Sequence, residues 1–237
     1  PIHAYLLRSF QSAFRIPELR SKSRFTFGIL VVYRIGGQVP IPGIDRIALQ
    51  EFFAGADRTL FSMYDMFVGG AFTRATVFAL GIMPYISASI IIQLLGAVIP
   101  FLQKLQKEGE EGRKKITQYT RYGTIILAVI QGMMISFGLE GTRGPNGEAI
   151  VLDPGWNFRL MTVLTLTSGT AFIMWLGEQV TERGIGNGIS LIIFAGIVAA
   201  LPSAVTSTFQ FVREGELSIF FVILLLLFVF LVVGVII

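Results

Sequence analysis

The sequence predicts an all-α membrane protein whose chain crosses the bilayer several times. Three observations predict this class: 53% of the 237 residues are hydrophobic, only 14% are charged, and the apolar residues stand in long blocks. Soluble domains usually carry about a quarter charged residues. The blocks are too long and too continuous for the alternating strands of a membrane barrel. Helices must therefore satisfy the backbone within lipid, which makes a polytopic helical bundle the expected architecture.

A hydropathy window marks six apolar segments, at residues 25–44, 75–102, 122–139, 160–177, 189–205 and 217–237. The last is uncharged throughout and long enough to span a bilayer as a helix. The first contains Arg34 and ends at Pro40 and Pro42. A charge inside a membrane helix indicates a functional site, but Arg34 could equally reach the outer interface and pair there. The residues alone leave both interpretations open.

The distribution of lysine and arginine predicts which loops face the cytosol. Twelve of the 19 basic residues fall in the N-terminal segment, in the loop at 103–121 and at Arg183, whereas six fall in the opposite loops. Cytosolic loops carry the excess, so the N-terminus and the 103–121 loop are predicted to be cytosolic. Leucines and phenylalanines share one face of the N-terminal segment, residues 1–24, which predicts an amphipathic helix on the cytosolic surface.

The polar motifs do not indicate an enzyme. The chain has no cysteine and a single histidine, which removes thiolate metal sites and serine–histidine triads. The glycines of "RGIGNGIS" (183–190) have the wrong spacing for a dinucleotide site and predict a tight turn. Glu178 and Glu182 precede that turn and are expected to form a solvated helix cap rather than an acid–base pair. We expect no catalytic residues, no cofactor and no metal.

The segment "QKEGEEGRKK" (106–115) mixes acids, bases and glycines. It lacks the ending of a phosphate-binding loop, so a flexible, solvated hairpin tip is the first expectation. A docking surface for another protein is the alternative.

The second apolar segment is interrupted in an informative way. Gly81 and Pro84 are expected to break its helix. The stretch before the break, "MYDMFVGGAFTRA" (63–75), is too short and glycine-rich to span a membrane and predicts a re-entrant element. After the break, isoleucines recur on one helical face at Ile82, Ile86 and Ile90. Such a stripe fits a lipid-facing helix, but in a helix that lines a cavity it would form a narrow hydrophobic constriction.

Four stretches resemble the SecY family, the large subunits of bacterial protein-conducting channels. They are "VPIPGID" (39–45), "MFVGGAFTRATVFALGIMPYISASIIIQLL" (66–95), "EGEEGRKKITQYTRYGT" (108–124) and "MWLGEQVTERGIGNGISLIIFAGIVAALP" (174–202). The resemblance covers essentially the whole chain. It implies a ten-helix channel built from two inverted halves of five helices, of which this chain carries the first half (25–205) and an outer loop with helix six (206–237).

The resemblance also implies roles for particular residues. Residues 60–73 would be a plug that closes the resting pore, with Phe61, Met63, Met66, Phe67, Gly69, Gly70 and Phe72 as its members. The pore ring in this half would be formed by Ile82, Ile86 and Ile193. A lateral gate toward lipid would include Ser87, Ile90 and Gln131.

The function implied is passage of unfolded preproteins across the bacterial cytoplasmic (inner) membrane and sideways release of signal or membrane segments into lipid. The implied partners are SecE, SecG and either the SecA motor or a ribosome, although the family's main docking loops lie outside this chain. No direct contact with nucleic acid is expected except through the ribosome. The alternative is a secondary transporter with inverted repeats, which would need ionisable or carbonyl-rich groups at the bilayer midplane.

Overall fold

The computed structural model describes residues 16–55, 60–215 and 217–236. Most of the predicted N-terminal surface helix, residues 1–15, therefore lies outside the described residues. Nine helices occur within the described ranges, and the only β-structure there consists of isolated bridges. In chain order the helices are α1 (Pro17–Gly36), α2 (Arg46–Gly55), α3 (Leu60–Phe67), α4 (Met83–Val98), α5 (Pro100–Lys107), α6 (Glu110–Gly141), α7 (Trp156–Arg183), α8 (Gly188–Arg213) and α9 (Ile219–Ile236).

The chain divides into two compact units, one ending at Ile197 and one beginning at Val198. The first unit holds the two hydrophobic clusters of buried residues and every predicted site residue. The second unit contains the end of α8 and all of α9, a helix in which no residue is buried.

Four of the described helices, α6, α7, α8 and α9, are long and apolar enough to cross a membrane. The pair α4 and α5 passes the same test as one broken span, bent by 101° at Ile99. Length and composition thus identify a multi-pass membrane protein, as the sequence predicts.

The first helix differs from the predicted apolar segment 25–44. It begins at Pro17, a residue suited to a first helical turn, and ends at Gly36. Its buried face consists of Thr26, Ile29 and Tyr33. The rest of the predicted segment is irregular, because the prolines that follow lack the N–H group that a helix needs.

The irregular stretch after α1 is held by backbone hydrogen bonds to a later part of the chain. Ile41 N donates to Ala75 O at 2.9 Å, and Val77 N donates to Val39 O at 2.9 Å. Residues 39–41 and 75–77 therefore form a short antiparallel pairing, which we call the anchor pairing. It joins the stretch after α1 to the chain just after residue 73.

The second apolar segment, predicted at 75–102, is not one continuous helix. Residues 68–82 form successive turns, with Gly81 at a φ of +56°, and α4 begins only at Met83 with Pro84 in its first turn. The predicted break at Gly81 and Pro84 is present, and α4 is correspondingly short.

The segment predicted as a cytosolic loop, residues 103–121, is largely helical. Only Glu108 and Gly109 separate α5 from α6. Gly109 has a φ of +70°, which glycine adopts without strain, and Glu110 and Glu111 then open α6 at its positive end. The predicted hairpin tip, residues 106–115, is exposed except at Gly112, but its turn is only two residues long because the flanking polar residues are good helix formers.

Helices α6 and α7 pack closely through small residues. Residues at every fourth position of α6 are buried: Thr120, Thr124, Ala128, Gly132 and Ser136. A Cβ atom on Gly132 would stand 3.4 Å from the Cα of Val163 in α7, so the backbones approach as small residues allow in membrane bundles.

An ion pair also joins α6 and α7. Arg121 Nε lies 2.7 Å from Glu178 Oε1, and the Glu178 side chain is only 14% exposed. The predicted solvated cap is therefore wrong for Glu178, because a basic residue 57 positions earlier in the sequence reaches it. Glu182, one turn later, is exposed as predicted.

A row of aromatic rings connects α1 to α7 through the segment after residue 73. Tyr33 stacks on Phe78 at 5.8 Å, Phe78 on Phe172 at 6.2 Å, and Phe172 on Trp175 at 5.9 Å between ring centroids. We call these four residues the aromatic row. It holds Phe78 between two helices.

Candidate functional site

Residues 60–73, which we call the plug segment, consist of the short helix α3 and the turns that follow it. Met63, Met66 and Phe67 expose 60%, 51% and 45% of their surface, whereas Val68 and Ala71 are buried. The side chain of Phe61 lies outside the described part of the structure. The segment thus has one apolar side against the protein and one side with exposed large apolar groups.

Tyr64 attaches α3 to the turns before α4. Its hydroxyl donates to the carbonyl oxygen of Leu80 at 3.1 Å, and its ring packs edge-on against Phe72 at 5.2 Å. Burial, and secondarily the neighbouring Asp65 charge, raises the pKa of Tyr64 to about 12. The hydroxyl therefore keeps its proton and its hydrogen bond at physiological pH.

Asp65 ties α3 to the end of the plug segment. Its Oδ1 accepts from the backbone N–H groups of Phe72 at 2.9 Å and Thr73 at 3.1 Å, and its Oδ2 accepts from the Thr73 hydroxyl at 2.7 Å. The backbone turns back sharply between these residues through Gly69 (φ +67°) and Gly70 (φ +79°). Residues 65–73 are therefore a self-bonded unit.

Two arginines bind the glycine turn of the plug segment. Arg74 donates from Nε to Gly70 O at 2.6 Å and from Nη2 to Gly69 O at 2.9 Å. Arg34, in α1, donates from Nη1 to the same Gly69 oxygen at 3.3 Å. Arg34 is thus an exposed residue that pairs with the backbone of the plug segment.

The plug segment also touches α8 backbone to backbone. A Cβ atom on Gly196 would stand 2.8 Å from the carbonyl oxygen of Phe67 and 3.4 Å from the nitrogen of Gly69. Any larger residue at Gly196 would collide with the plug segment, so glycine is required there by close approach.

The three predicted ring isoleucines belong to one hydrophobic cluster. Ile82 is 5% exposed, and the partly buried Ile86 and Ile193 pack against the same cluster. Val68 and Ala71 of the plug segment are members too. The structure therefore brings the three isoleucines into the same cluster as residues of the plug segment.

Ser87 and Gln131 line a shared groove between α4 and α6. The groove has a volume of about 470 Å³, and Tyr64 and Phe72 of the plug segment form part of its wall. Ile90, also predicted for the gate, is 51% exposed and lies one turn further along α4. The groove thus opens beside the plug segment.

Sequence reasoning missed several participants. Ile192 is 1% exposed and is more deeply buried in the cluster than the predicted Ile193. Gln38, whose Oε1 accepts from Arg74 Nη1 at 3.0 Å, carried no signal of its own. The lone charge of Arg34 was the only available pointer to the arginine pair.

Comparisons with known proteins identify relatives of this chain. A family model described as SecY matches residues 76–237. The protein translocase subunit SecY of Buchnera aphidicola subsp. Acyrthosiphon kondoi is 53% identical over 222 residues, which cover 93% of this chain and 62% of the relative. The subunit of Escherichia coli strain K12 is 52% identical, with 93% of this chain and 50% of the relative covered. The chain thus spans about half the length of the curated relatives it matches.

Solved structures share the fold. The structure of a protein-conducting channel superposes with a TM-score of 0.54 at 21% identity and covers 78% of this chain and 39% of its own. A SecY structure, whose plug domain stabilises the closed state of the translocation channel and maintains a membrane seal, gives a TM-score of 0.52 at 25% identity, covering 80% and 40%. From the family match and the identity to these relatives, we conclude that the chain belongs to the SecY family.

Proposed function

We propose that this chain forms part of a protein-conducting channel through which unfolded preproteins cross the membrane. The observation that carries the proposal is the apolar cluster that Ile82, Ile86 and Ile193 share with residues of the plug segment. Membership of the SecY family supports the same function.

An isoleucine ring suits this task for physical reasons. Bulky aliphatic groups at a constriction exclude water and ions by dewetting. They offer no hydrogen-bonding groups that would retain a moving chain, and they adapt to side chains of different size. In this half of the channel the ring would be Ile82, Ile86 and Ile193, and the family pattern assigns its other members to the second half.

The plug segment would close the resting pore. Its buried residues, Val68 and Ala71, pack on the ring cluster, and its self-bonded glycine turn allows it to leave as a unit. The buried apolar area of such a short segment is small, so displacement by an incoming chain requires little free energy compared with unfolding a whole domain.

The groove between α4 and α6 would serve as one side of the lateral gate. Ser87 and Gln131 place polar groups in an otherwise apolar wall, and Ile90 presents an apolar surface nearby. An apolar signal or membrane segment could leave the pore through this side into lipid, whereas polar segments would continue across.

The channel would work with partners and in one orientation. We propose that the N-terminus faces the cytosol of a bacterial cell, as the distribution of basic residues favours. SecE and SecG would accompany the channel, and SecA or a translating ribosome would supply the driving energy. No chemical step on the substrate is proposed.

A transporter function is not favoured. Arg34, the charge that a midplane binding site would have used, donates instead to the backbone of the plug segment. In the part of the chain that the structure describes, no group of three acidic or histidine side chains is placed to hold an ion.

The proposal is tested by ion leak and preprotein transport in vesicles that contain the full-length protein with its partners. Replacing Ile82 and Ile86 together by glycine should raise the resting ion conductance, because the apolar constriction is widened. Ile91→Gly, in α4 with Ile86 but 46% exposed, is the control and should leave conductance unchanged. Equal conductance in the wild type, the double variant and the Ile91→Gly control would contradict the assignment of the isoleucine ring.

Deleting residues 60–73 provides a second test. Transport of preproteins should persist, since the pore itself is retained, while the closed state becomes leaky. A tight closed state after this deletion would contradict the role of the plug segment.

A further inference from the structure

The plug segment is attached to the rest of the protein by charged donors as well as by apolar packing. Arg34 and Arg74 converge on a single oxygen, that of Gly69, and Arg74 also binds Gly70 O. The planar guanidinium group presents several N–H donors in a fixed geometry, so one arginine can bind two successive carbonyl groups. The glycine turn is therefore held from two sides.

Both arginines lie outside the plug segment, in parts of the chain that need not move when the plug segment moves. Arg34 is carried by α1. Arg74 directly precedes the anchor pairing, and its Nη1 donates to Gln38 at 3.0 Å. The side chain of Arg74 thus spans from the fixed pairing to the glycine turn.

The plug segment has its own internal bonds, independent of these arginines. Asp65 joins α3 to residues 72 and 73, and the Gly70 N–H group donates to the carbonyl oxygen of Asp65 at 2.9 Å. These bonds can survive if the segment moves. The bonds from Arg34 and Arg74 to Gly69 and Gly70 cannot, because their donors stand outside the moving unit.

We propose that Arg34 and Arg74 are positioning residues that form a releasable latch on the plug segment, with the Gly69 and Gly70 carbonyl oxygens as its acceptors. The inference rests on the proposed channel function and adds the device that sets how often the plug leaves. The acceptors are neutral carbonyl groups rather than carboxylates. The latch is therefore weaker than a buried ion pair and can open without leaving an unpaired anion behind.

The two arginines should contribute unequally. Arg74 makes three bonds of 3.0 Å or less, two of them to the plug segment, whereas the single bond of Arg34 is 3.3 Å long and exposed. Loss of Arg74 should therefore raise the population of the displaced plug by about tenfold or more, and loss of Arg34 by only about two- to fivefold.

The experiment uses a single introduced cysteine in the full-length protein. This chain contains no cysteine, and any cysteine elsewhere in the full-length protein is first replaced by serine. Val68→Cys places a thiol at a position that is 4% exposed in this structure, whose plug position we call the seated state. A water-soluble maleimide then reacts only with the displaced state. Ala128→Cys, fully buried in α6, is the matched reporter of unfolding elsewhere.

The latch predicts a defined pattern of labelling rates. Arg74→Gln should accelerate labelling at the Val68→Cys reporter by about tenfold or more, and Arg34→Gln by less, with the Ala128→Cys reporter unchanged. The double variant should fall short of the product of the two factors, because both arginines use the Gly69 oxygen. Arg34→Lys should restore part of the protection, and Arg46→Gln, at an exposed arginine in α2, should have no effect.

Other outcomes would overturn the latch. Unchanged labelling in Arg74→Gln would show that packing alone seats the plug segment. Equal acceleration at both reporters would show general unfolding. The labelling assay needs no transport, so a latch that releases without any rise in ion leak would leave the latch standing and contradict the proposed channel function instead.

Discussion

Replacing Gly196 by alanine is a small change that should displace the plug segment from its contact with α8. The added Cβ would stand 2.8 Å from the carbonyl oxygen of Phe67, whereas ordinary contact begins at 3.4 Å. The backbone of the plug segment or of α8 must therefore move by about 0.6 Å. Neither side can yield by rotating a side chain, because the contact is with backbone atoms.

The size of the effect follows from this overlap. An extra methyl group in a tightly packed contact typically costs about 1–3 kcal/mol. Because only the seated plug suffers the overlap, the displaced population should rise by about 5- to 140-fold. Alanine also favours the helical state over glycine, so α8 itself should not lose stability.

Two assays measure this change in the full-length protein. Maleimide labelling at the Val68→Cys reporter should accelerate by the stated factor, and the resting ion conductance of reconstituted vesicles should rise with it. Gly138→Ala is the matched control, since no atom lies within 4 Å of its added Cβ. The reasoning is refuted if Gly196→Ala and Gly138→Ala give the same labelling rate and the same conductance.

Three further predictions concern single side chains. Asp65→Ala should destabilise the seated plug segment by about 1–3 kcal/mol, because the N–H and hydroxyl groups that donate to Asp65 lose their acceptor. Asp65→Asn keeps an acceptor and should destabilise the segment less. Protease susceptibility at the plug segment would measure both effects. A double-mutant cycle on Arg121 and Glu178, read from thermal unfolding in detergent, should give a coupling of about 0.5–1 kcal/mol, since Arg121 is partly exposed; zero coupling would contradict the ion pair. Because the raised pKa of Tyr64 lies above that of the released state, its stabilisation of the seated plug is complete below pH 10 and is lost as the pH rises to about 12. The difference in tyrosinate absorbance between the wild type and Tyr64→Phe should therefore appear near pH 12, and its appearance near pH 10 would contradict the burial.

The broad architecture could be predicted from composition and local pattern. Long apolar runs specify membrane helices because hydrocarbon leaves the backbone no other partner. Gly81 and Pro84 correctly predicted that the second apolar segment is broken, since both act through local backbone geometry. The boundaries were less accurate, because α1 and α6 continue into polar residues that no hydropathy window includes.

Contacts between distant residues could not be predicted in the same way. Arg34 and Gly69 are 35 positions apart, and nothing in either local sequence indicates that a guanidinium group meets that carbonyl oxygen. Glu178 seemed solvated for the same reason, as its partner Arg121 lies on another helix. The roles of the ring, plug and gate residues came from family resemblance, because an isoleucine stripe looks the same in a lipid-facing helix.

The aromatic row contains a natural fluorophore that reports on the chain segment after residue 73. Its last member, Trp175, is one of only two tryptophans in the chain, and Phe78, two rings away, stands four positions before Ile82. Indole emission depends on the polarity and packing around the ring. If the plug segment leaves while the anchor pairing holds, the Trp175 spectrum should stay constant during gating, whereas disruption of the pairing would change it. Tryptophan fluorescence would thus distinguish movement of the plug segment alone from disruption of the anchor pairing, without any attached label.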